Sequence, residues 1–321
     1  MYSFKELFNI FSERFNQQLF PSTQGKLYEA GKYFLQLGGK RVRPVMCLMG
    51  NELFDEISTD TWEAAYAIEL FHNFTLIHDD IMDKSGLRRG QPTVHEKFGP
   101  STALLAGDVL LVIAYDHLNR IDNLHLKKII QLFNRMAREV CDGQQLDMEF
   151  EEREDVKMPE YLAMIEMKTS VLLAYSLKMG AILGGASVGN QQHLYEFGKN
   201  LGIAFQIQDD YLDAFGDPEK FGKEPGGDIK SNKKTFLLIR ALETGNPSQQ
   251  KKLKELMTST DTNKVQEVVK IFRECKVDEW ADNLKEDFFA KAMKHLEDTA
   301  VVSKRKEPLK ELAKFLLQRD H

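Results

Sequence analysis

The sequence predicts an all-α fold, with roughly ten or more helices around a central cavity in a single domain spanning residues 1–321. Apolar residues recur mostly at the three- and four-residue spacing of a helix face, whereas the alternation typical of strands is scarce. Only nine prolines interrupt the chain, and no flexible stretch is long enough to be a linker to a second domain.

The first predicted helix carries an apolar stripe. It consists of Phe4, Phe8, Phe11, Phe15 and Leu19. A helix lying on a membrane surface can look similar, but basic residues are too few here, so a face turned to the core or to a dimer partner is predicted. A second helix over residues 27–37 ends at Gly38-Gly39, which suits a helix C-cap, and Pro44 opens the next helix.

The helix predicted over residues 61–83 ends in carboxylates that suit a metal ion. Asp79 and Asp83 are i and i+4, so they share a face, where like charges repel unless a cation joins them. Mg²⁺ is commonly held by carboxylates together with substrate phosphates. Arg88 and Arg89 follow, and arginine makes forked contacts with phosphate oxygens. Taken alone, this stretch fits a solvated acidic helix end and a basic turn equally well.

A second acidic cluster makes the metal interpretation much stronger. The Asp-Asp-x-x-Asp spacing recurs from Asp209 to Asp213, 130 residues after Asp79, and again ends an apolar helical run. Helical bundles commonly build metal sites from carboxylates on facing helices. The duplicated spacing therefore predicts that both clusters surround the Mg²⁺ ions of one diphosphate.

Other helices and one loop complete the pattern. Gly143 lies within a helix predicted over residues 124–154, where glycine costs about 1 kcal/mol relative to alanine, which indicates close packing or a ligand. Lys168 and Thr169 stand in an otherwise apolar helix at 159–180. Residues 222–235 alternate glycine and lysine and are predicted to form a mobile cationic lid, although an ordinary surface loop has the same composition. The helices predicted beyond residue 235 are amphipathic and carry no chemical motif.

Composition excludes several classes of protein. A net charge of −6 gives no reason to expect nucleic-acid binding. No uncharged run approaches the length of a membrane span, so no stable membrane insertion is expected, and the first ten residues do not resemble a secretory signal. The three cysteines, Cys47, Cys141 and Cys275, form neither a disulfide framework nor a zinc pattern, which favours a reducing cytoplasm.

The ordered set of motifs resembles the trans-isoprenyl diphosphate synthase (polyprenyl synthetase) family over nearly the whole chain. The motifs are Gly38-Gly39-Lys40-Arg41-Val42-Arg43-Pro44, Asp79-Asp80-Ile81-Met82-Asp83 with Arg88-Arg89, Gly143-Gln144-Gln145-Leu146-Asp147, Lys168-Thr169, Asp209-Asp210-Tyr211-Leu212-Asp213 and the lysine segment from Gly222 to Thr235. Each motif alone is weak, but their combination, order and spacing are highly specific.

The resemblance implies a Mg²⁺-dependent prenyltransferase that condenses isopentenyl diphosphate with an allylic diphosphate (dimethylallyl, geranyl or farnesyl). It implies about three Mg²⁺ ions per active site, ligated by carboxylate oxygens. It also implies a cytoplasmic homodimer. The implied metal ligands are Asp79, Asp83 and Asp209, with Asp80, Asp210 and Asp213 acting less directly.

The resemblance also assigns the two diphosphates and the allylic cation. The residues implied for isopentenyl diphosphate are Lys40, Arg43, His72 and Arg89. Those implied for the allylic diphosphate are Arg88, Lys168, Thr169, Gln206, Lys223 and Lys233. Of these, Lys168, Thr169 and Gln206 also face the allylic cation and are the candidate catalytic residues. From the sequence alone, a core histidine is the default interpretation of His72.

Product length depends on residues that precede the first acidic cluster. In relatives, aromatic residues at both the fourth and fifth positions before the motif accompany farnesyl diphosphate as product. An aromatic residue at the fifth position alone is typical of geranylgeranyl diphosphate synthases. Phe74 at the fifth position and Thr75 at the fourth fit the second pattern. Phe71 is a candidate second stop one turn further down the helix. Geranylgeranyl diphosphate is therefore the expected main product, with farnesyl diphosphate as the alternative. On an ideal helical wheel, however, Thr75 and Phe71 lie closer than Phe74 to the carboxylate face.

Two other functions compete with this prediction. A class I terpene cyclase shares the fold and the first acidic motif, but its second metal motif typically mixes Asn, Ser or Thr with Glu, and it does not need the Lys40–Arg43 loop. A non-catalytic partner subunit is expected to have lost acidic residues, and both clusters here are intact.

Overall fold

The computed structural model describes residues 1–17, 25–216, 226–259 and 261–317. The chain divides into two compact units. Unit 1 contains residues 1–133, 176–192 and 301–308, and unit 2 contains residues 134–175, 193–300 and 309–321. The described residues are predominantly helical, as the sequence predicts.

The helices are numbered here in chain order. They are α1 Phe4–Gln17, α2 Lys26–Gln36, α3 Val42–Glu52, α4 Thr59–Met82, α5 Val94–Phe98, α6 Pro100–Leu118, α7 Asn123–Glu152, α8 Met158–Ile165, α9 Val171–Leu183, α10 Val188–Phe215, α11 Gly227–Lys230, α12 Phe236–Thr244, α13 Pro247–Met257, α14 Lys264–Glu274, α15 Val277–Asp298 and α16 Ser303–Leu317. A two-residue hairpin pairs β1 (Leu87–Arg88) with β2 (Gln91–Pro92) in antiparallel register.

Unit 1 is organised around α4, which packs along α6 and also against α3. Ser58 starts α4 because its side chain accepts a hydrogen bond from the backbone N–H of Thr61. The middle of the helix is almost wholly apolar and buried. Gly50 and Gly180 allow α3 and α9 to approach closely, since a Cβ at either position would collide with backbone of the other helix. The carboxylates at the end of α4 are therefore carried by a rigid central helix.

Unit 2 has its own apolar core, to which α7, α8, α10, α12, α14 and α15 contribute. Phe236 and Ile207 are fully buried in it, and Trp280 packs against its edge. The C-terminal helices, which carry no chemical motif, thus stabilise the end of α10 that bears the second acidic cluster.

The helix predicted over residues 159–180 is not continuous. A π-helical turn, Glu166–Ser170, separates α8 from α9 and contains Lys168 and Thr169. A π-turn widens a helix by one residue and often occurs at functional sites. The periodicity of apolar residues does not register this change, because Val171–Leu183 is buried on almost every side and so has no distinct apolar face.

Helix α6 is long and apolar enough, by composition, to cross a membrane, although core helices of soluble proteins pass the same test. Several of its residues are buried against α4, among them Ala103, Ala106 and Leu110. The remaining face exposes Leu104, Leu105 and Val112. Helix α6 therefore packs one face against α4, as a core helix does, and exposes apolar residues on its other face.

Candidate active site

The last turn of α4 presents the first acidic cluster with its carboxylates in different environments. Asp79 is half-buried and Asp83 is exposed, whereas Asp80 is 1% exposed. Arg88 donates to both oxygens of Asp80 through Nε, at 2.9 and 3.1 Å, and through Nη2 at 2.6 Å. Asp80 is therefore occupied by the arginine that follows the cluster, and Asp79 and Asp83 are the accessible pair.

The glycine-rich loop before α3 is fixed by Arg41. This residue adopts a left-handed backbone conformation, with φ of 46°, and its side chain is buried. Its guanidinium forms an ion pair with Glu69 and donates to the Leu35 carbonyl at 3.1 Å. Arg41 thus anchors the loop to α4 and α2, which leaves Lys40 exposed to solvent on one side of it.

Arg43 and His72 lie in contact beside this loop. Arg43 Nη1 is 3.2 Å from His72 Nε2, and since a guanidinium only donates, the imidazole nitrogen accepts. Burial, followed by the charges of Arg43 and Arg89, holds the pKa of His72 well below its usual value. His72 is therefore a neutral imidazole with its proton on Nδ1, surrounded by arginines.

Arg89 reaches the same place from the β1–β2 hairpin. It has a φ of 54°, and its guanidinium lies against Gly39, where a Cβ would come within 2.8 Å of Nη2. Gly39 has a φ of 146°, so both its conformation and its missing side chain are required. Arg43, His72 and Arg89, predicted from separate parts of the sequence, thus come together in unit 1 as a cationic site.

Unit 2 contains a pocket that gathers residues from α7, α8, the π-turn, α10 and the lysine segment. It is lined by Asp147, Phe150, Glu151, Tyr161, Met164, Ile165, Lys168, Thr169, Gln206, Asp210, Asp228, Lys233, Lys234 and Thr235. The ammonium of Lys168 forms an ion pair with Asp147. Gly143 lies directly against the π-turn, since a Cβ there would be 2.3 Å from the backbone nitrogen of Lys168. The glycine inside α7 therefore reflects close packing, beside the residues predicted to act.

The carboxylates of the second acidic cluster also lie in different environments. Asp209 is half-buried, while Asp210 is 5% exposed and accepts hydrogen bonds from Tyr161 at 2.7 Å and Gln206 at 2.8 Å. Burial, followed by the charge of Asp228, raises the pKa of Asp210 to about 8, against the opposing effect of these two donors. Asp210 is thus enclosed by protein groups, as Asp80 is in the first cluster.

Asp213 holds the start of α11. Its carboxylate accepts from the backbone N–H groups of Gly227 at 3.2 Å and Asp228 at 3.0 Å. This contact fixes the part of the lysine segment that carries Asp228 and Lys233, whose side chains are 3.8 Å apart. Burial is the main cause of the raised pKa of Asp228. Asp228 and Tyr161 could not be predicted from the sequence, because neither belongs to a repeated spacing.

Aromatic side chains fill the space below the first cluster. Phe74 stacks edge-on against His78, with ring centroids 4.6 Å apart, and also contacts Phe71 at 5.6 Å. Phe71 is 1% exposed and packs against Phe133. Thr75 turns its hydroxyl back to the carbonyl of His72. Phe74 is therefore held by Phe71 and His78, its neighbours three and four residues away on the same helix face.

The donor atoms fit Mg²⁺ that is bound together with a substrate. Among the described residues, no three carboxylate, histidine or cysteine side chains converge closely enough to hold a metal ion alone. Asp79 and Asp83 supply hard carboxylate oxygens, and Mg²⁺ typically takes one or two carboxylates and completes its shell with phosphate oxygens and water. Lys223, predicted to bind the allylic diphosphate, lies outside the described residues.

An all-α chain with two Asp-Asp-x-x-Asp helix ends and a half-buried arginine–histidine site defines the class of diphosphate-dependent isoprenoid enzymes. The polyprenyl synthetase family model matches residues 24–275, and the chain belongs to this family. It is a trans-prenyltransferase that condenses isopentenyl diphosphate with an allylic diphosphate, which confirms the function predicted from the sequence.

Individual relatives resemble the chain over almost its full length. A short chain isoprenyl diphosphate synthase of Methanothermobacter thermautotrophicus is 38% identical over 310 residues, covering 96% of this chain and 95% of the relative. A geranylgeranyl pyrophosphate synthase of Geoglobus acetivorans is also 38% identical, covering 99% and 98%. A crystal structure of a geranylgeranyl pyrophosphate synthase superposes with a TM-score of 0.94 at 40% identity, covering 99% of both chains.

Proposed function

We propose that this prenyltransferase makes geranylgeranyl diphosphate, by adding isopentenyl diphosphate to dimethylallyl, geranyl or farnesyl diphosphate. The observation that carries the proposal is the position of Phe74, clamped between His78 and Phe71 at the fifth residue before Asp79. Relatives of similar length bear the name geranylgeranyl synthase, which supports the same product. Farnesyl diphosphate remains the alternative main product.

Isopentenyl diphosphate is proposed to bind at Lys40, Arg43, His72 and Arg89. The support is the contact of Arg43 with His72 and of Arg89 with Gly39. A neutral His72 donates from Nδ1, while the arginines supply charge-assisted hydrogen bonds to phosphate oxygens. These groups hold the double bond of the co-substrate in one orientation, which replaces a bimolecular encounter.

The allylic diphosphate is proposed to bind through Mg²⁺ on Asp79, Asp83 and Asp209. When bound, about three Mg²⁺ ions would neutralise charge that builds on the leaving diphosphate. The side chains proposed to contact this diphosphate are Arg88, Lys168, Thr169, Gln206, Lys223 and Lys233. Arg88 is already oriented by Asp80, and Lys168 by Asp147.

Reaction begins when the allylic carbon–oxygen bond breaks and its electron pair leaves with the diphosphate. The oxygens of Thr169 and Gln206 are proposed to face the resulting cation, since both line the pocket of unit 2. The double bond of isopentenyl diphosphate then forms the new carbon–carbon bond, and a proton passes to the departed diphosphate. The lysine segment over residues 222–235 is proposed to exclude water during these steps.

A cytoplasmic homodimer is proposed as the working form. The support is the exposed apolar side of α6, where Leu104, Leu105 and Val112 are 49%, 53% and 60% exposed. Exposed apolar surface of this kind is typical of protein interfaces. Sedimentation showing only a 36.9 kDa species at micromolar concentration would contradict the dimer.

Product analysis tests the proposed chain length directly. The purified chain is incubated with radiolabelled isopentenyl diphosphate and each allylic diphosphate in turn, with Mg²⁺ or with EDTA. We expect geranylgeranyl diphosphate as the main product and no turnover in EDTA. Farnesyl diphosphate as the end product would select the alternative, and cyclised hydrocarbons from the allylic substrate alone would indicate a terpene cyclase.

A further inference from the structure

A chain of hydrogen bonds in unit 2 connects a buried tyrosine to the pocket. Tyr161 donates to Asp210 Oδ2 at 2.7 Å, and Gln206 Nε2 donates to Asp210 Oδ1 at 2.8 Å. At the other end of the same amide, Thr169 Oγ1 is 3.3 Å from Gln206 Oε1. Tyr161 and Asp210 are each only 5% exposed, so water does not compete for these contacts.

Each bond in the chain fixes the direction of the next. The hydroxyl of Tyr161 and the amide nitrogen of Gln206 both donate, and each oxygen of Asp210 keeps a lone pair for them in either protonation state. Because the NH₂ group of Gln206 faces Asp210, its carbonyl oxygen faces Thr169. A carbonyl oxygen only accepts, so the Thr169 hydroxyl is the donor.

The direction of the last bond has a chemical consequence. A hydroxyl that donates its proton to Gln206 turns that proton away from the pocket and keeps oxygen lone pairs available there. If the amide turned over, its NH₂ group would face Thr169 and the hydroxyl would become the acceptor. Its proton would then be free to point into the pocket, where it would repel a developing carbocation.

We propose that Tyr161 and Asp210 are positioning residues, which orient the Gln206 amide so that the Thr169 hydroxyl presents its lone pairs to the allylic cation. This rests on the proposed roles of Thr169 and Gln206 beside the cation. The π-turn contributes by setting Thr169 opposite α10, and Gly202 permits the approach, since a Cβ there would be 2.7 Å from Ser170 Cα. The hydroxyl of Tyr161 contributes through Asp210, to which it donates.

A double-mutant cycle measures whether Tyr161 acts through the Thr169 hydroxyl. Single-turnover rates are determined by rapid quench with both diphosphates saturating. Tyr161→Phe is expected to lower the wild-type rate about tenfold, with the KM of each substrate unchanged within about twofold. In Thr169→Val, which already lacks the hydroxyl, Tyr161→Phe is expected to change the rate by less than about twofold.

Two further variants separate this role from ordinary support of the fold. In Thr169→Ser, which keeps the hydroxyl, Tyr161→Phe must again cost about tenfold. Tyr175→Phe removes another tyrosine hydroxyl of unit 2, which donates to Glu139 at 3.2 Å, and is expected to leave the rate within about twofold of wild type. An equal loss from Tyr161→Phe in the wild-type, Thr169→Val and Thr169→Ser backgrounds would overturn the proposal.

Asp210→Asn provides a second route if Tyr161→Phe does not fold. With Tyr161 donating to the new amide oxygen, the new NH₂ group faces Gln206 and turns its amide over. A rate loss that also disappears in Thr169→Val supports the proposal, whereas an additive loss contradicts it. Failure of the assigned function is distinguishable, because the wild-type chain itself would then show no Mg²⁺-dependent condensation.

Discussion

Arg41 and Glu69 form a buried ion pair that joins the glycine-rich loop to the middle of α4. Both side chains are 4% exposed, and Asn73 Nδ2 donates to the same carboxylate at 2.8 Å. The pair therefore fixes the segment between Lys40 and Arg43, whose side chains point elsewhere. The guanidinium of Arg41 is buried in this ion pair and is therefore not available to bind a diphosphate.

Glu69→Gln is expected to destabilise the protein by about 3–5 kcal/mol, since it leaves the buried Arg41 charge without its partner. The measurement is urea unfolding followed by far-UV circular dichroism. Asp282→Asn is the matched control. The carboxylate of Asp282 is 61% exposed, and the substitution removes its ion pair with Lys285. That control is expected to stay within about 1 kcal/mol of wild type. Equal losses from both variants would show that Arg41 is not held by Glu69.

Both acidic clusters should be needed for turnover. Asp79→Ala and Asp209→Ala are each expected to lower the rate by about three orders of magnitude, because each removes a proposed Mg²⁺ ligand. Helical circular dichroism should be unchanged. Asp155→Ala, which removes an exposed carboxylate paired with Arg153, serves as the control and should retain the wild-type rate. Near-normal turnover in either cluster variant would refute the metal assignment.

The two diphosphate sites should respond to different substitutions. Arg43→Ala or Lys40→Ala is expected to raise the KM for isopentenyl diphosphate about tenfold or more, whereas Lys233→Ala should raise the KM for the allylic substrate. Steady-state kinetics that vary one substrate at a time provide the measurement. Lys230→Ala, an exposed lysine of the same segment as Lys233, is the control. Equal effects of all three changes on both substrates would argue against separate sites.

His72 should make the protein less stable in mild acid. The unfolded state takes up a proton at His72 below about pH 6.5, whereas the folded state resists it, because its pKa is lowered by burial and by Arg43 and Arg89. The unfolded state then binds more protons, so stability falls with decreasing pH by at most about 1.4 kcal/mol per pH unit.

His72→Gln keeps an acceptor for Arg43 but cannot titrate. Urea unfolding at pH 7.0, 6.0 and 5.5 should show a smaller loss of stability in acid for this variant than for wild type. Identical pH dependence in the two proteins would mean that His72 carries a proton in the folded state, and that its hydrogen bond with Arg43 is wrongly assigned.

The sequence predicted the helices of this fold well because their apolar faces are regular. Helix α4 runs from Thr59 to Met82, close to the predicted 61–83, although its middle is buried on every side from Ala64 to Phe71 and shows no single apolar face. The π-turn at Glu166–Ser170 was missed, because the helix that follows it, Val171–Leu183, is buried on almost every side and has no apolar periodicity that an inserted residue could shift. Gly143 was the one indirect signal of it.

Site residues could be predicted where a spacing repeats, and not where a contact forms across the fold. The repeated spacing located the two acidic clusters, in which Asp79 and Asp209 are half-buried. The partners of their neighbours come from distant parts of the chain, such as Tyr161, which is 49 residues from Asp210. No local pattern marks a tyrosine of this kind, since a buried aromatic residue at helical spacing is usually part of the core.

Product length should change when the aromatic stop below Asp79 is removed or enlarged. Phe74 contacts His78 and Phe71, so Phe74→Ala opens space beside α4, and one helical turn corresponds to 5.4 Å of added depth. Products longer than geranylgeranyl diphosphate are expected from this variant. Thr75→Phe, which adds a second aromatic residue, is expected to shorten the product to farnesyl diphosphate.

Phe315→Ala, a change at a residue 58% exposed in α16, should leave the distribution unaltered. Chromatography of dephosphorylated products after incubation with farnesyl and isopentenyl diphosphates gives the measurement. An unchanged distribution in Phe74→Ala would exclude Phe74 as the stop, and Phe71, buried against Phe133 one turn further down, would be the residue to substitute next.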